Sequence, residues 1–155
     1  MNTSTLRALL AAAVLSLPVV SLANLGNDDG NASTDPNFIA GRKAIDAHDW
    51  PAAVAAMMKA IAADPKNAEA YNWLGFAQRK QGQYDAAFYA YGEALKLNPN
   101  SKSTHEYIGE AYLATDQLAK AEQHLAALNR LCSPIPCEEL KDLKRAIDDY
   151  KKKKK

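Results

Sequence analysis

Glycine and alanine recur at a fixed interval along this chain of 155 residues. Both residue types keep a period of 34 residues, at Gly41, Gly75 and Gly109 and at Ala53, Ala87 and Ala121. Small side chains at fixed positions allow neighbouring helix axes to approach to about 8–10 Å. One unit of this length cannot bury its own apolar face, whereas three stacked units form a continuous core. The period therefore predicts an all-α chain of three stacked helical hairpins.

The middle unit, residues 68–101, shows the pattern most completely. Its order of residues resembles the tetratricopeptide repeat, whose pattern is W-x2-L-G-x2-Y, then A-x3-F, then P, over 34 residues. Tyr71 stands at the Trp position and Gln78 at the Tyr position, while the remaining positions of the pattern are filled by Leu74, Gly75, Ala87, Tyr91, Ala94 and Pro99. The resemblance implies an α-solenoid of three such repeats.

The units on either side resemble the same repeat when the sequence is shifted by one period. Residues 34–67 form the first repeat, and residues 102–135 form the third. The third repeat departs from the pattern at its end, because Leu128 replaces a small residue and Ser133 stands where proline is expected. We therefore expect its second helix to be shifted or to be followed by an unusual turn.

The C-terminal segment predicts one more helix. Residues 136–150 place Leu140, Leu143, Ile147 and Tyr150 on one helical stripe. Repeat arrays need a terminal helix that is apolar inside and polar outside, so this segment is expected to cap the array. The lysine tail, residues 151–155, is expected to be frayed and solvated. It could contact an anionic membrane or cell-wall polymer, and a merely solubilising tail is the alternative.

The N-terminal segment has the three regions of a secretory signal peptide. Residues 1–23 contain one positive charge, a short apolar run and small residues before Ala23. We expect cleavage after Ala23 and export, most simply to the periplasm, as in small exported bacterial members of the family that the chain resembles. The alternative is a buried N-terminal helix. Residues 24–33 are polar and rich in Gly, Asn and Asp, which predicts a flexible leader.

Two cysteines, Cys132 and Cys137, flank the join between the third repeat and the capping helix. An exported chain with an even cysteine count favours a disulfide, which would fasten the cap where the repeat pattern weakens. Unpaired thiols are one alternative. A redox or metal-responsive site that uses the two cysteines, with His124 as a third ligand, is another.

Other residue types that perform chemistry are sparse. The sequence has no Ser-His-Asp set, HExxH motif, phosphate-binding loop or haem-attachment motif. Without the five terminal lysines it has 14 basic and 18 acidic residues, which is not the charge of a nucleic-acid-binding protein. We predict no enzymatic activity, no cofactor, no metal site and no nucleic-acid partner.

In tetratricopeptide arrays the first helix of each repeat lines a concave groove that binds peptides or protein segments. By position, the resemblance implies a partner-binding groove formed by Phe38, Arg42, Asn72, Trp73, Phe76, Arg79, Glu106, Tyr107 and Glu110. Aromatic residues and arginine are enriched in binding hot spots. The alternative is that Trp73 and Phe76 only pack against neighbouring helices. The lysine and asparagine set with which some members bind a chaperone's C-terminal carboxylate is missing, so that partner is not expected.

The first hypothesis is therefore an exported scaffold or adaptor that binds a protein or peptide segment in its groove. The second, from a different class, is a redox or metal-responsive protein that uses Cys132 and Cys137.

Overall fold

The computed structural model describes residues 34–154. This part of the chain contains seven α-helices and no strand: α1 (Pro36–Asp46), α2 (Trp50–Ala63), α3 (Ala68–Lys80), α4 (Tyr84–Leu97), α5 (Lys102–Ala114), α6 (Leu118–Leu131) and α7 (Glu138–Lys153). The predicted signal peptide (residues 1–23) and leader (residues 24–33) lie outside the described residues.

A polar side chain begins the first helix of each repeat. A carboxylate oxygen of Asp35 accepts hydrogen bonds from the backbone N–H groups of Asn37 and Phe38, at 2.8 and 2.9 Å. Asn67 caps α3 and Ser101 caps α5 by the same kind of side-chain contact. These caps satisfy backbone donors that a helix leaves unpaired at its N-terminus, so they define where each repeat starts.

The turn inside each hairpin has one residue with a left-handed backbone. These residues are His48, Gly82 and Asp116, with φ angles of 56°, 75° and 57°. They occupy the same position in the three repeats, because they too are one period apart. Glycine adopts this conformation without steric cost, so Gly82 fits the turn best.

The periodic glycines are sites of close helix contact. A Cβ atom added to Gly41 would lie 2.7 Å from the Met57 side chain, and one added to Gly75 would lie 2.7 Å from the ring of Tyr91. In the third repeat the side chain that faces Gly109 is Leu143 of α7. Leu125 is the third-repeat equivalent of Met57 and Tyr91, but the atoms nearest to a Cβ at Gly109 belong to Leu143. Helix α6 begins and ends one period of 34 residues after α4, so the expectation that this helix is shifted is wrong. The third repeat differs instead in the side chain that packs against its glycine.

The helices stack in chain order into a solenoid. Each pair α1–α2, α3–α4 and α5–α6 packs as a hairpin, and α7 packs against both α5 and α6. Leu140, Leu143 and Ile147 of α7 are buried in the C-terminal part of the core. The predicted fold, an all-α solenoid of three helical hairpins and a capping helix, is confirmed.

The lysine tail is more ordered than the sequence predicted. Helix α7 continues to Lys153, so the expectation of fraying is wrong for residues 151–153, whereas the expectation that the tail is exposed to solvent is confirmed for residues 151–154. Lys151 pairs with Glu122 of α6 at 2.7 Å, and Lys154 pairs with Asp116 at 2.9 Å. Positive side chains are also favourable at a helix C-terminus because they oppose the negative end of the helix dipole. Both effects extend the helix.

Between residues 34 and 154, no helix combines the length and the apolar character that crossing a membrane requires.

Candidate protein-binding groove

Three aromatic rings form a cluster where the first helices of the second and third repeats meet. The ring centroids of Trp73 and Phe76, both on α3, are 5.5 Å apart. Tyr107 of α5 lies 5.0 Å from Phe76 and 6.0 Å from Trp73. All three rings are partly buried, so each keeps some surface exposed to solvent. We call Trp73, Phe76 and Tyr107 the aromatic cluster.

Charged side chains flank the aromatic cluster on both sides. The guanidinium of Arg42 on α1 lies 3.5 Å from the centroid of the Trp73 ring, which is a cation–π contact. Arg79 on α3 forms an ion pair with Glu110 on α5, with Nη1 and Oε2 2.7 Å apart. The Arg79 side chain is only 12% exposed. These contacts link α1, α3 and α5 along one surface and hold its side chains in place.

Two of the predicted groove residues are not available to a partner. Phe38 is 5% exposed and belongs to the hydrophobic core, and Asn72 is 3% exposed. The amide nitrogen of Asn72 donates a hydrogen bond to the hydroxyl of Ser103 on α5, at 3.3 Å. Phe38 and Asn72 therefore pack the interior beneath the groove, and their prediction as surface residues is wrong.

The structure adds two acidic side chains of α7 to this surface. Burial, together with the negative charges of Glu110, Asp142 and Glu139, raises the pKa of the Glu106 carboxyl to about 8, while the positive charge of Arg79 opposes them. Glu139 and Asp142 therefore lie close enough to Glu106 to influence its ionisation. Sequence reasoning treated α7 only as a cap. The sequence feature that could have identified this surface is the spacing of Glu139 and Asp142, which lie three residues apart beside the apolar stripe of α7.

The alternative interpretation of Trp73 and Phe76 as packing residues holds in part. Both pack against the core formed by the first two repeats. Trp73 also donates a hydrogen bond from its indole nitrogen to Glu69, at 3.2 Å. The aromatic cluster is thus fixed by packing on its inner side and is exposed on its outer side.

The cysteines and histidines lie in separate places. Cys132 and Cys137 form a disulfide, as predicted, with their Cα atoms 5.4 Å apart. His124 does not join them: its Nδ1 atom lies 2.9 Å from Nδ1 of His105. Burial and the neighbouring His105 lower the pKa of His124 to about 4. The part of the chain that the structure describes contains no group of three or more side chains suited to a metal ion.

Comparison with known proteins agrees with this architecture. Models of the tetratricopeptide repeat match residues 56–89 and 78–131. The chain belongs to the tetratricopeptide repeat family. A sequence search of curated proteins finds no significant match.

Solved structures share the fold. A structure of the TPR2B domain of yeast Sti1 in a pHsp70 complex superposes with a TM-score of 0.69 and 20% identity, over 76% of this chain and 94% of that one. PcrH in complex with the chaperone-binding region of PopD gives 0.67 and 17%, over 77% and 91%. MamA of MSR-1 gives 0.58 and 26%, over 61% of this chain and 55% of its own. The chain thus spans about half of MamA.

Proposed function

We propose that this protein is an exported interaction module that binds a segment of another protein in the groove formed by α1, α3, α5 and α7. The observation that supports this most strongly is the partly exposed aromatic cluster. Its rings lie within 6.0 Å of one another and are flanked by Arg42 and the Arg79–Glu110 pair. A few residues carry most of the affinity at a typical protein interface, and Trp, Tyr and Arg are enriched among them.

The groove would act by offering a surface that is already ordered. The aromatic cluster gives an apolar area for one or two side chains of the partner, and Arg42 and Glu110 give polar contacts at its edges. Their mutual contacts fix these side chains in the free protein. Binding therefore costs less conformational entropy than it would on a mobile surface. This function needs no catalytic chemistry.

The solved relatives are consistent with this class of function. The Sti1 domain is in a complex with pHsp70, and PcrH is in a complex with a region of PopD. For this chain, a protein or peptide partner is our proposal.

The export part of the proposal depends on the sequence of residues 1–23 and on the disulfide. Disulfides form and persist in oxidising compartments such as the periplasm. A bonded Cys132–Cys137 pair is therefore compatible with an exported protein. Comparing the mass of the purified mature protein with that expected for cleavage after Ala23 tests this part directly.

Copurification with matched aromatic variants tests the binding function. The full-length chain is expressed in its source cell with a C-terminal tag, and the proteins that copurify are quantified by mass spectrometry. Tyr107→Ala removes a ring of the aromatic cluster, and Tyr89→Ala removes a ring of α4 that is 70% exposed. We expect the specific partner to be reduced by about tenfold in Y107A, the effect of a modest hot spot, and unchanged in Y89A.

Equal recovery of every copurifying protein with Y107A and with the unaltered chain would contradict the proposal. Circular dichroism must show that both variants keep their helical content, so that a loss of binding is not a loss of fold. A second groove variant, Trp73→Phe, replaces the indole with a smaller apolar ring and removes its hydrogen bond to Glu69. It should reduce recovery less than Y107A does.

A further inference from the structure

Two histidines of the third repeat face each other across the contact between α5 and α6. Nδ1 of His105 lies 2.9 Å from Nδ1 of His124, which is the distance of a hydrogen bond. Both side chains are partly buried, and their ring centroids are 5.2 Å apart. We call His105 and His124 the histidine pair. The proposed binding groove includes neither residue.

The partners of His105 determine where the hydrogens of the pair lie. Nε2 of His105 is 3.0 Å from the backbone carbonyl oxygen of Pro99, which can only accept a hydrogen bond. Nε2 must therefore carry a hydrogen, and in the neutral ring Nδ1 of His105 carries none. The hydrogen between the two Nδ1 atoms then belongs to His124. The neutral pair thus has one arrangement, in which His124 donates and His105 accepts.

Protonation of His105 is incompatible with this contact. A proton added to this ring must go to Nδ1, because Nε2 already carries a hydrogen. Two N–H groups would then point at each other across the 2.9 Å that separate the Nδ1 atoms. The contact between α5 and α6 would lose its hydrogen bond and gain an electrostatic repulsion.

The surroundings of the pair disfavour a charged ring. Within residues 34–154, neither histidine forms an ion pair with an acidic side chain. Burial lowers the pKa of His105, the hydrogen bond to Pro99 partly offsets this, and the positive charge of Arg130 on α6 lowers the pKa further. Burial and the neighbouring His105 lower the pKa of His124 to about 4. Both rings therefore stay uncharged at pH values at which an exposed histidine takes up a proton.

The other titratable neighbours of the pair belong to α5 and α6. The ring of Tyr112 stacks on that of His124 with centroids 5.6 Å apart, and Nζ of Lys120 lies 5.1 Å from the centroid of the same tyrosine ring. Glu106 follows His105 on α5, and its raised pKa favours the folded state as pH falls, which is the opposite sign. Among the described residues of α4 and α7, no charged side chain affects the pKa of either histidine.

We propose that the histidine pair is an acid-sensitive contact, which holds α6 against α5 while both rings are uncharged and releases it when they take up protons. Helix α7 packs against both α5 and α6, so the C-terminal part of the solenoid would loosen together. The inference goes beyond the proposed function. It concerns the third repeat alone and holds whether or not the groove binds a partner.

The direction of the pH effect follows from the two states of the contact. In the released state His124 binds a proton near the ordinary value of 6.5, whereas in the contact it binds one only near pH 4. The released state therefore binds more protons below pH 6.5, and acidification favours it. These values give about a twentyfold shift toward release between pH 7 and pH 5 for His124 alone. We take about fivefold as the lower bound, because the side chain is only partly buried.

Nuclear magnetic resonance of the unaltered chain tests the arrangement of hydrogens. Long-range proton–nitrogen correlation spectra distinguish a ring nitrogen that carries a hydrogen from one that does not. At pH 7 we expect a hydrogen on Nε2 of His105 and on Nδ1 of His124. A pH titration should give both rings a pKa below that of free histidine. A neutral His124 with its hydrogen on Nε2, or a pKa of either ring above that of free histidine, would overturn the inference.

Hydrogen exchange tests the release of α6. The protection of its backbone amides, corrected for the intrinsic exchange rate at each pH, is measured at pH 7 and pH 5 in the unaltered chain and in His124→Leu. Acidification should lower this protection about five- to twentyfold more in the unaltered chain than in H124L. The titration of Glu106 cancels because both proteins contain it. A constant effect of leucine on stability cancels because each protein is compared with itself.

The third histidine provides a matched control. His48→Asn removes it from the turn of the first hairpin, and asparagine tolerates the left-handed backbone of that position. This variant should keep the acid effect to within about twofold, because the histidine pair is intact. In H124L the pKa of His105 should rise, because the N–H group that faced its Nδ1 atom is gone.

The remaining outcomes overturn the inference. An equal acid effect in H124L and in the unaltered chain would show that the histidine pair does not control the release of α6. Loss of the acid effect in H48N would assign it to the first repeat. The resonance measurements need no variant, so the inference remains falsifiable if H124L does not fold.

Discussion

Gly75 and Gly92 stand in neighbouring helices of the second repeat, and an added methyl group meets different surroundings at each. At Gly75 the new Cβ would lie 2.7 Å from two carbons of the buried Tyr91 ring. At Gly92 it would meet no atom within 4 Å. The comparison separates the packing role of the periodic glycines from the general effect of glycine in a helix.

We expect these two alanine variants to change stability in opposite directions. Gly75→Ala should lower the free energy of unfolding by about 1–2 kcal/mol, the cost of overpacking less the gain in helix propensity. Gly92→Ala should raise it by about 0.5–1 kcal/mol because alanine favours the helix. Urea denaturation followed by circular dichroism measures both. A stabilised G75A would mean that the close contact with Tyr91 is not a constraint.

Glu106 makes stability depend on pH in a direction that can be worked out. Its pKa is about 8 in the folded protein, above the ordinary value of 4.5. The folded state therefore binds more protons than the unfolded state between these values, so this group makes the protein less stable as pH rises from 4.5 to 8. Glutamine stays neutral and removes the effect.

We expect Glu106→Gln to stabilise the protein relative to the unaltered chain by about 1 kcal/mol more at pH 8 than at pH 5, allowing for the solvent exposure of this side chain. Urea denaturation of both proteins at the two pH values gives the difference directly. Histidine titration cancels in this comparison because both proteins contain the same three histidines. If the unfolding free energies of the two proteins differ by the same amount at pH 5 and pH 8, the pKa of Glu106 is not raised in the folded protein.

Helix α7 contributes both to the core and to the charged surroundings of Glu106. It covers the end of the core with Leu140, Leu143 and Ile147, and it brings the negative charges of Glu139 and Asp142 near Glu106. The Cys132–Cys137 disulfide lies immediately before the helix and closes the loop that leads into it. The position of α7 therefore links the stability of the array to the shape of its binding surface.

Removing this disulfide should weaken the attachment of α7. The variant Cys132→Ser, Cys137→Ser should lose about 2 kcal/mol of unfolding free energy in the chain-entropy model for a short loop. Urea denaturation with and without reductant measures the loss. Reductant should destabilise the unaltered protein by a similar amount and leave the variant unchanged. Unaltered stability in the variant would show that packing alone holds α7 in place.

Much of the architecture of the whole molecule is predictable from its period. The recurrence of small residues predicts the hairpins, because close helix packing selects those positions in every repeat. The same offsets identify Trp73, Phe76 and Tyr107 as candidates for one surface, and the structure places their rings together.

Contacts between repeats are less predictable. The burial of Phe38 and Asn72, the Arg79–Glu110 pair and the approach of Glu139 to Glu106 depend on the angles at which successive helices cross. Local periodicity does not encode those angles. The contact with Gly109 is made by Leu143 of α7, and not by Leu125 at the equivalent repeat position, because α7 lies outside the repeat pattern. The groove side chains were therefore predictable as candidates, and their pairing and burial were not.

We propose that the groove, and no other face of the molecule, binds a protein segment. Photo-crosslinking tests it most directly, with a photoreactive phenylalanine derivative in place of Tyr107 in one protein and in place of Tyr89, which is 70% exposed on α4, in another. Mass spectrometry then identifies the attached peptides. We predict one reproducible peptide attached at position 107 and absent at position 89. The same adducts at both positions, or adducts only at position 89, would show that binding is not specific to the groove.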